Sequence, residues 1–257
     1  MAENILNLFR LDGRTAFISG AAGHLGRAMT FALAEAGAHV IINGRDEARL
    51  KDFEGELKSF GHSAERASFD VCDFDAVRAF FGAREKLDII VNNAVSMTPA
   101  PFDALEPSAF EATYKSCVTA AFEIVRAARP ALKASGNASV INIASMYGVV
   151  SPDPRIYDDP RQASPFHYGP AKAALIQLTR HLAAELGGEA IRVNALVPGP
   201  FPKSAAPAFE GRLASRTMLG RIGKASEIAG PLLFLASPAS SYVTGSTLTV
   251  DGGWTSW

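Results

Sequence analysis

Apolar runs alternate with amphipathic segments almost from end to end of this chain, and no other feature constrains its fold as tightly. A short continuous apolar run reads as a strand buried on both faces, and apolar residues at i, i+3 and i+4 read as a helix with one buried stripe. The pattern predicts strands over 14–19, 38–43, 63–69, 87–91, 139–144, 191–196 and 247–250. It predicts helices over 25–36, 46–60, 73–84, 107–128, 166–186 and 226–236. Buried strands separated by helices imply a parallel sheet covered on both faces. Right-handed crossovers then give a doubly wound α/β fold.

Two segments break the rhythm. Residues 149–165 hold Pro152, Pro154, Pro160 and Pro165 among charges, and residues 198–219 hold Pro198, Pro200, Pro202 and Pro207. Both follow strands, so both are expected at the carboxyl edge of the sheet, where open α/β sheets bind ligands. Neither is long enough to be a second domain, so one domain over 1–257 is expected.

Composition excludes several classes of function. Apolar residues make up 48% of the chain and the formal net charge is −1, which argues against nucleic acid or an anionic membrane as partner. Cys72 and Cys117 are too few for a disulfide framework, and neither has the neighbours of a metal site. No metal is expected. Residues 1–10 lack the apolar core of a signal peptide, and no apolar stretch is long enough for a membrane span. A cytoplasmic protein is expected.

The first strand runs into Ser19-Gly20-Ala21-Ala22-Gly23-His24-Leu25-Gly26. Glycines there permit a tight turn and bring a phosphate close to backbone N–H groups at the positive end of a helix. Ser19, Gly20, Gly23, His24 and Leu25 are therefore candidate contacts of a dinucleotide. At the end of the second strand, an NAD site usually offers an acid to the ribose 2′-hydroxyl. This chain offers Asn43-Gly44-Arg45. A guanidinium suits a 2′-phosphate, so NADP(H) is expected before NAD(H), unless Arg45 merely pairs with Asp46 or Glu47. Asp70 and Val71, after the third strand, are expected beside the adenine; the alternative for Asp70 is a helix cap before Asp73.

Of five tyrosines, only Tyr168 has a lysine four residues on, at Lys172. On a helix this spacing places both side chains on one face. A carbonyl that gains a hydride must also gain a proton, and a phenol titrating near ~10 needs a nearby positive charge to serve near neutrality. Ser145, at the end of the fifth strand, is expected at the same edge, where its hydroxyl can donate to the substrate oxygen.

Together these residues resemble the short branch of the short-chain dehydrogenase/reductase family. The resemblance runs in order through Gly20–Gly26, Asn92-Asn93-Ala94, Ser145, Tyr168-Gly169-Pro170-Ala171-Lys172, Pro198-Gly199 and Asp251-Gly252-Gly253. It implies a Rossmann-type three-layer sandwich with a mostly parallel seven-stranded sheet, a nicotinamide cofactor and a homotetramer. By the same resemblance Tyr168 is the acid/base, Ser145 orients the substrate, and Lys172 holds the nicotinamide ribose and eases ionisation of Tyr168. Asn93 and Ala94 line the cofactor, Asn92 braces the sheet, and Pro198, Gly199 and Phe201 approach the nicotinamide.

The chain also departs from the family pattern. His24 stands where the middle glycine of the turn belongs, and the Gly20, Gly23, Gly26 spacing is similar to that of the longer epimerase and dehydratase branch. Val95 replaces a glycine, Cys117 stands where the family often has a catalytic asparagine, and Lys203 stands where a threonine often binds the carboxamide. The stretch from Ser145 to Tyr168 is longer than usual, as in members linked to bacterial sugar or polyol metabolism. Tyr147, Arg155, Tyr157 and Arg161 in or beside this insert either contact a polar or anionic substrate or pin the insert to the surface. The residues point to an alcohol dehydrogenase or ketoreductase acting on a small carbonyl or alcohol. A dinucleotide-sensing regulator and a sugar epimerase or dehydratase stay open as alternatives.

Overall fold

The computed structural model describes residues 4–159 and 163–257. It contains one sheet of seven strands: β1 (Thr15–Ser19), β2 (His39–Gly44), β3 (Ala64–Ser68), β4 (Ile89–Asn92), β5 (Ala138–Ile143), β6 (Ile191–Pro198) and β7 (Thr247–Val250). Their spatial order is β3-β2-β1-β4-β5-β6-β7, and every pair is parallel. The order reverses between β1 and β4, which opens a crevice at their carboxyl ends. Each strand lies within two residues of its predicted bounds.

The helices are α1 (His24–Glu35), α2 (Glu47–Ser59), α3 (Phe74–Gly82), α4 (Pro107–Tyr114), α5 (Ala120–Ser135), α6 (Tyr168–Leu186), α7 (Pro207–Ala214) and α8 (Ala229–Ala236). Side chains alternate along a strand, so each strand feeds two cores. Ala16 and Ile18 of β1 pack with Met29 and Leu33 of α1 and Leu232 of α8. Phe17, between them, packs on the opposite face with Val77 and Phe81 of α3 and Ile124 of α5. The Phe17 ring is fully buried and meets the Phe81 ring edge-on at 4.9 Å. Burial of each such side chain contributes roughly 1.5–3 kcal/mol.

Two helical predictions need correction. The helix expected over 107–128 is broken: α4 and α5 are separated by a π-turn at Lys115–Thr119, in which the Ala120 N–H donates to the Lys115 carbonyl. Side chains that bond outside the helix accompany the break. Thr113 donates to the Ser96 carbonyl at 3.0 Å, and the Ser116 hydroxyl accepts from the Ser96 N–H at 3.0 Å. The helix expected over 226–236 begins as a 3₁₀ turn at Ala225–Ile228. Segment 198–219, which breaks the rhythm of the sequence, contains α7, which Pro207 opens at its first turn.

Candidate active site

A cleft of about 800 Å³ opens at the carboxyl edge of the sheet, across the ends of β1, β2, β4, β5 and β6. Its first wall is the glycine turn. Gly20 has φ +65°, and a Cβ on Gly26 would collide with the Gly20 carbonyl. The turn can therefore fold back on α1 only with glycine at both places. Gly23 is the N-cap of α1 and supplies no capping side chain, so the first N–H groups of this helix have no side-chain acceptor there. Gly20, Gly23, His24 and Leu25 all line the cleft.

Ser19 does not line it. Its side chain is buried, and its hydroxyl accepts from the Asn93 N–H at 2.9 Å and the Ala94 N–H at 3.0 Å. The Asn93 amide in turn donates to the Ser19 carbonyl at 3.0 Å. Ser19 thus braces the cofactor turn against the segment after β4, because its short side chain is used up by backbone donors.

Arg45, at the end of β2, pairs with neither of its sequence neighbours. Asp46 caps α2 by accepting from the Arg49 N–H, and Glu47 bonds Arg66. Arg45 lies 3.7 Å from Asp70 instead, and both line the cleft with Val71. Arg49, in the first turn of α2, also lines it and donates to the Ala22 carbonyl in the glycine turn. Sequence reasoning missed Arg49, because its bond to Ala22 joins α2 to the glycine turn and leaves no local signal.

Ser145, Tyr168 and Lys172 meet at the other end of the same cleft, with Asn93, Ala94, Pro198, Gly199 and Phe201. Tyr168 is the first residue of α6, at its positive end. Lys172 is 3% exposed; its ammonium donates to the Ile143 carbonyl at 2.6 Å and lies 5.5 Å from the Tyr168 ring centroid. A buried chain holds α6 in place: Asn92 donates to Asn142 at 2.9 Å, and Asn142 donates to Thr179 at 2.9 Å. A Cβ on Gly199 would lie 2.5 Å from the Asp251 Cα, so this glycine lets β6 close against the end of β7.

The departures from the family pattern take definite places. Val95 lines the cleft. Cys117 is buried in an apolar cluster with Val118, Ala121, Ala171 and Leu175, while Ser116 beside it faces the cleft. Lys203 and Ser204 are exposed and outside the cleft lining.

The insert is pinned. The Tyr147 and Tyr157 hydroxyls bond each other at 3.0 Å, and burial pushes the Tyr147 phenol above its ordinary range. Arg155 pairs with Asp153 at 2.8 Å, which holds that carboxyl down at about 2. From α7, Arg212 donates to the Ile156 carbonyl at 2.7 Å. Tyr147, Arg155 and Tyr157 are absent from the cleft lining, and Arg161 lies outside the described residues. Among the described residues, no cluster of His, Cys, Asp and Glu is fit to hold a metal, and no helix is long and apolar enough to cross a membrane.

Comparison with known proteins bears on this cleft directly. A family model described as enoyl-(acyl carrier protein) reductase matches residues 20–255. The chain is 38% identical to galactitol 2-dehydrogenase (L-tagatose-forming) of Cereibacter sphaeroides, covering 97% of this chain and 98% of that protein. It resembles the crystal structure of a gluconate 5-dehydrogenase from Burkholderia cenocepacia in complex with NADP and tartrate, with a TM-score of 0.88, 34% identity and 99% and 100% coverage. It also resembles a short-chain type dehydrogenase/reductase from Mycobacterium marinum, with a TM-score of 0.87, 32% identity and 98% and 99% coverage. With its seven parallel strands, its glycine turn and its tyrosine–lysine helix, the chain belongs to the short-chain dehydrogenase/reductase family.

Proposed function

We propose that this chain is an NADP(H)-dependent oxidoreductase that interconverts a carbonyl and a secondary alcohol on a small sugar- or polyol-like substrate. One observation carries the reading: Ser145, Tyr168 and Lys172 line the same cleft as a glycine turn at a helix N-terminus. The names of the relatives agree with it, since one acts on galactitol and another was solved with NADP.

The residues present fit a dinucleotide. The glycine turn leaves room for a pyrophosphate, which the first N–H groups of α1 would bind. Arg45, Arg49 and His24 would hold a 2′-phosphate, with Asp70 and Val71 beside the adenine. Lys172 would hold the nicotinamide ribose, with Asn93, Ala94, Pro198, Gly199 and Phe201 near the ring. When bound, this cofactor supplies or accepts the hydride.

The chain's own groups handle the proton. In reduction, Tyr168 Oη gives its proton to the substrate oxygen as negative charge builds there. Ser145 Oγ donates a hydrogen bond to that oxygen. The Lys172 ammonium and the positive end of α6 stabilise the phenolate left behind. Oxidation runs the same steps backwards. Residues 1–257 act as one dinucleotide-binding and catalytic domain on the single sheet. The half-exposed Phe110, Tyr114 and Phe122 of α4 and α5 give an apolar face suited to a homotetramer. Two free cysteines suit a cytoplasmic location.

Purified protein incubated with NADPH and a panel of ketoses should show a steady fall of reduced-nicotinamide absorbance, slower with NADH. Tight NADPH binding without turnover over that panel would instead identify a sensor. Turnover of a nucleotide sugar without net cofactor change would identify an epimerase.

A further inference from the structure

Helix α6 begins at Tyr168, yet no side chain caps its N-terminus. His167, at the cap position, has helical backbone angles (φ −73°, ψ −13°), and its ring is used elsewhere. The ring Nε2 lies 3.2 Å from the carbonyl of Thr98, in the loop between β4 and α4. Opposite a carbonyl, Nε2 carries the hydrogen and donates it. His167 is 1% exposed, and its Nδ1 is buried without a partner among the described residues.

Three phenylalanines complete the contact. Phe110 of α4 meets the His167 ring at 5.9 Å and the Phe166 ring at 6.1 Å. Phe102, from the same β4–α4 loop as Thr98, meets Phe166 edge-on at 5.2 Å. That loop also supplies Ala94, Val95 and Ser96 to the cleft wall. It is fastened at Ser96 by Thr113 and Ser116, and at Thr98 by His167. A phenyl ring at 167 would pack against the same aromatic neighbours without leaving a buried nitrogen unmatched. The imidazole adds only the bond to Thr98.

We propose that His167 is a positioning residue: its bond to Thr98 ties the β4–α4 loop to the first turn of α6 and so fixes Tyr168 at the substrate oxygen. The inference rests on Tyr168 as the acid/base. The clasp joins placement of the loop over the cleft to placement of the phenol.

Kinetics of three variants test it, with NADPH affinity and thermal midpoint measured on each. In His167→Phe, which keeps an aromatic ring but cannot donate, kcat should fall about tenfold or more while the NADPH Kd stays within about twofold. His167→Gln, whose amide can donate to Thr98, should recover kcat to within about threefold of the parent protein. Phe166→Ala removes a half-exposed ring of the clasp, leaves the core untouched and should lower kcat about threefold to fivefold. Parent-like kcat and KM in His167→Phe, or equal losses in the Phe and Gln variants that track a lowered thermal midpoint, would overturn the proposal. Should His167→Phe fail to fold, Phe166→Ala and His167→Gln decide: parent-like kcat in Phe166→Ala, or a tenfold loss in His167→Gln, rejects the clasp. Tyr168→Phe is the control. If it stays active, the acid/base reading itself is wrong; if it is dead while His167→Phe is fully active, only the clasp is wrong.

Discussion

At the amino edge of the sheet, Asp88 accepts from the Thr15 N–H at 2.9 Å and from the Ser135 hydroxyl at 2.6 Å, and is 3% exposed. At the carboxyl edge of the same strands, Ser145, Tyr168 and Lys172 line an open cleft. Arg192, at the start of β6, is also buried, and its guanidinium donates to the Ser240 hydroxyl and to the carbonyls of Leu235, Ser237 and Val243, while its Nε has no partner among the described residues. Burial pulls that guanidinium down to about 10. The Lys172 ammonium, by contrast, has one hydrogen-bond partner among the described residues, the Ile143 carbonyl, and faces the cleft. Polar groups at one edge are enclosed by the chain, the unpartnered Arg192 Nε included; at the other they face a cleft that a ligand can enter. Burial of a charged or polar group therefore does not mark function here. What marks it is which donors remain unspent and face open space.

Substitutions can break this contrast at either edge. The largest effect is expected at the carboxyl edge. Tyr168→Phe should lower kcat by about 10³-fold, within the range of a lost general acid/base, while NADPH binding and urea midpoint stay near those of the parent protein. At the amino edge the pattern should invert. Arg192→Leu removes the guanidinium's bonds to Ser240, Leu235, Ser237 and Val243, whose carbonyls keep Ser139, Ser240 and Asn194 as donors, and should cost about 1–2 kcal/mol of stability, read by urea unfolding, with an unchanged NADPH Kd in the folded fraction.

Smaller effects sharpen the contrast within the cleft. Arg45→Ala should raise the NADPH Kd about tenfold and leave the NADH Kd unaltered, because the guanidinium is 71% exposed beside Asp70 and a 2′-phosphate is the cofactor group it would bind. Equal losses for both cofactors would place Arg45 on another part of the dinucleotide. The smallest effect is a surface control. Arg221 and the Lys224 N–H hold the Glu227 carboxyl at about 2, below its ordinary 4.5. A carboxyl depressed in the folded state stabilises it above pH 4.5, and this contribution fades as the pH falls toward 2. Comparison of wild type with Glu227→Gln in acid unfolding should show their difference shrinking over that interval, with kcat at neutral pH unchanged.

The fold was legible because its signals are local. Apolar runs such as 40–42 and 89–91 are buried on both faces, so the strands announced themselves without knowledge of their neighbours. Legibility failed where a distant partner decides. The π-turn at Lys115–Thr119 coincides with bonds from Thr113 and Ser116 to Ser96, across the β4–α4 loop. Ser19 was read as a cofactor contact, but two N–H groups from the far side of β4 take its hydroxyl. For Arg155 and Tyr157, left open between substrate contact and pinning of the insert, the partners are Asp153 and Tyr147.

The sequence by itself determined the order of strands and helices, the glycine turn and the pairing of Tyr168 with Lys172. Each depends on spacing along a few neighbouring residues, which backbone geometry converts directly into direction. Only the tertiary structure decided that Arg49 turns back onto Ala22, that the Asn93 and Ala94 N–H groups take the Ser19 hydroxyl, and that His167 reaches Thr98. Those contacts join segments far apart in the chain. Packing of the two cores against the sheet sets them, and no local period records it.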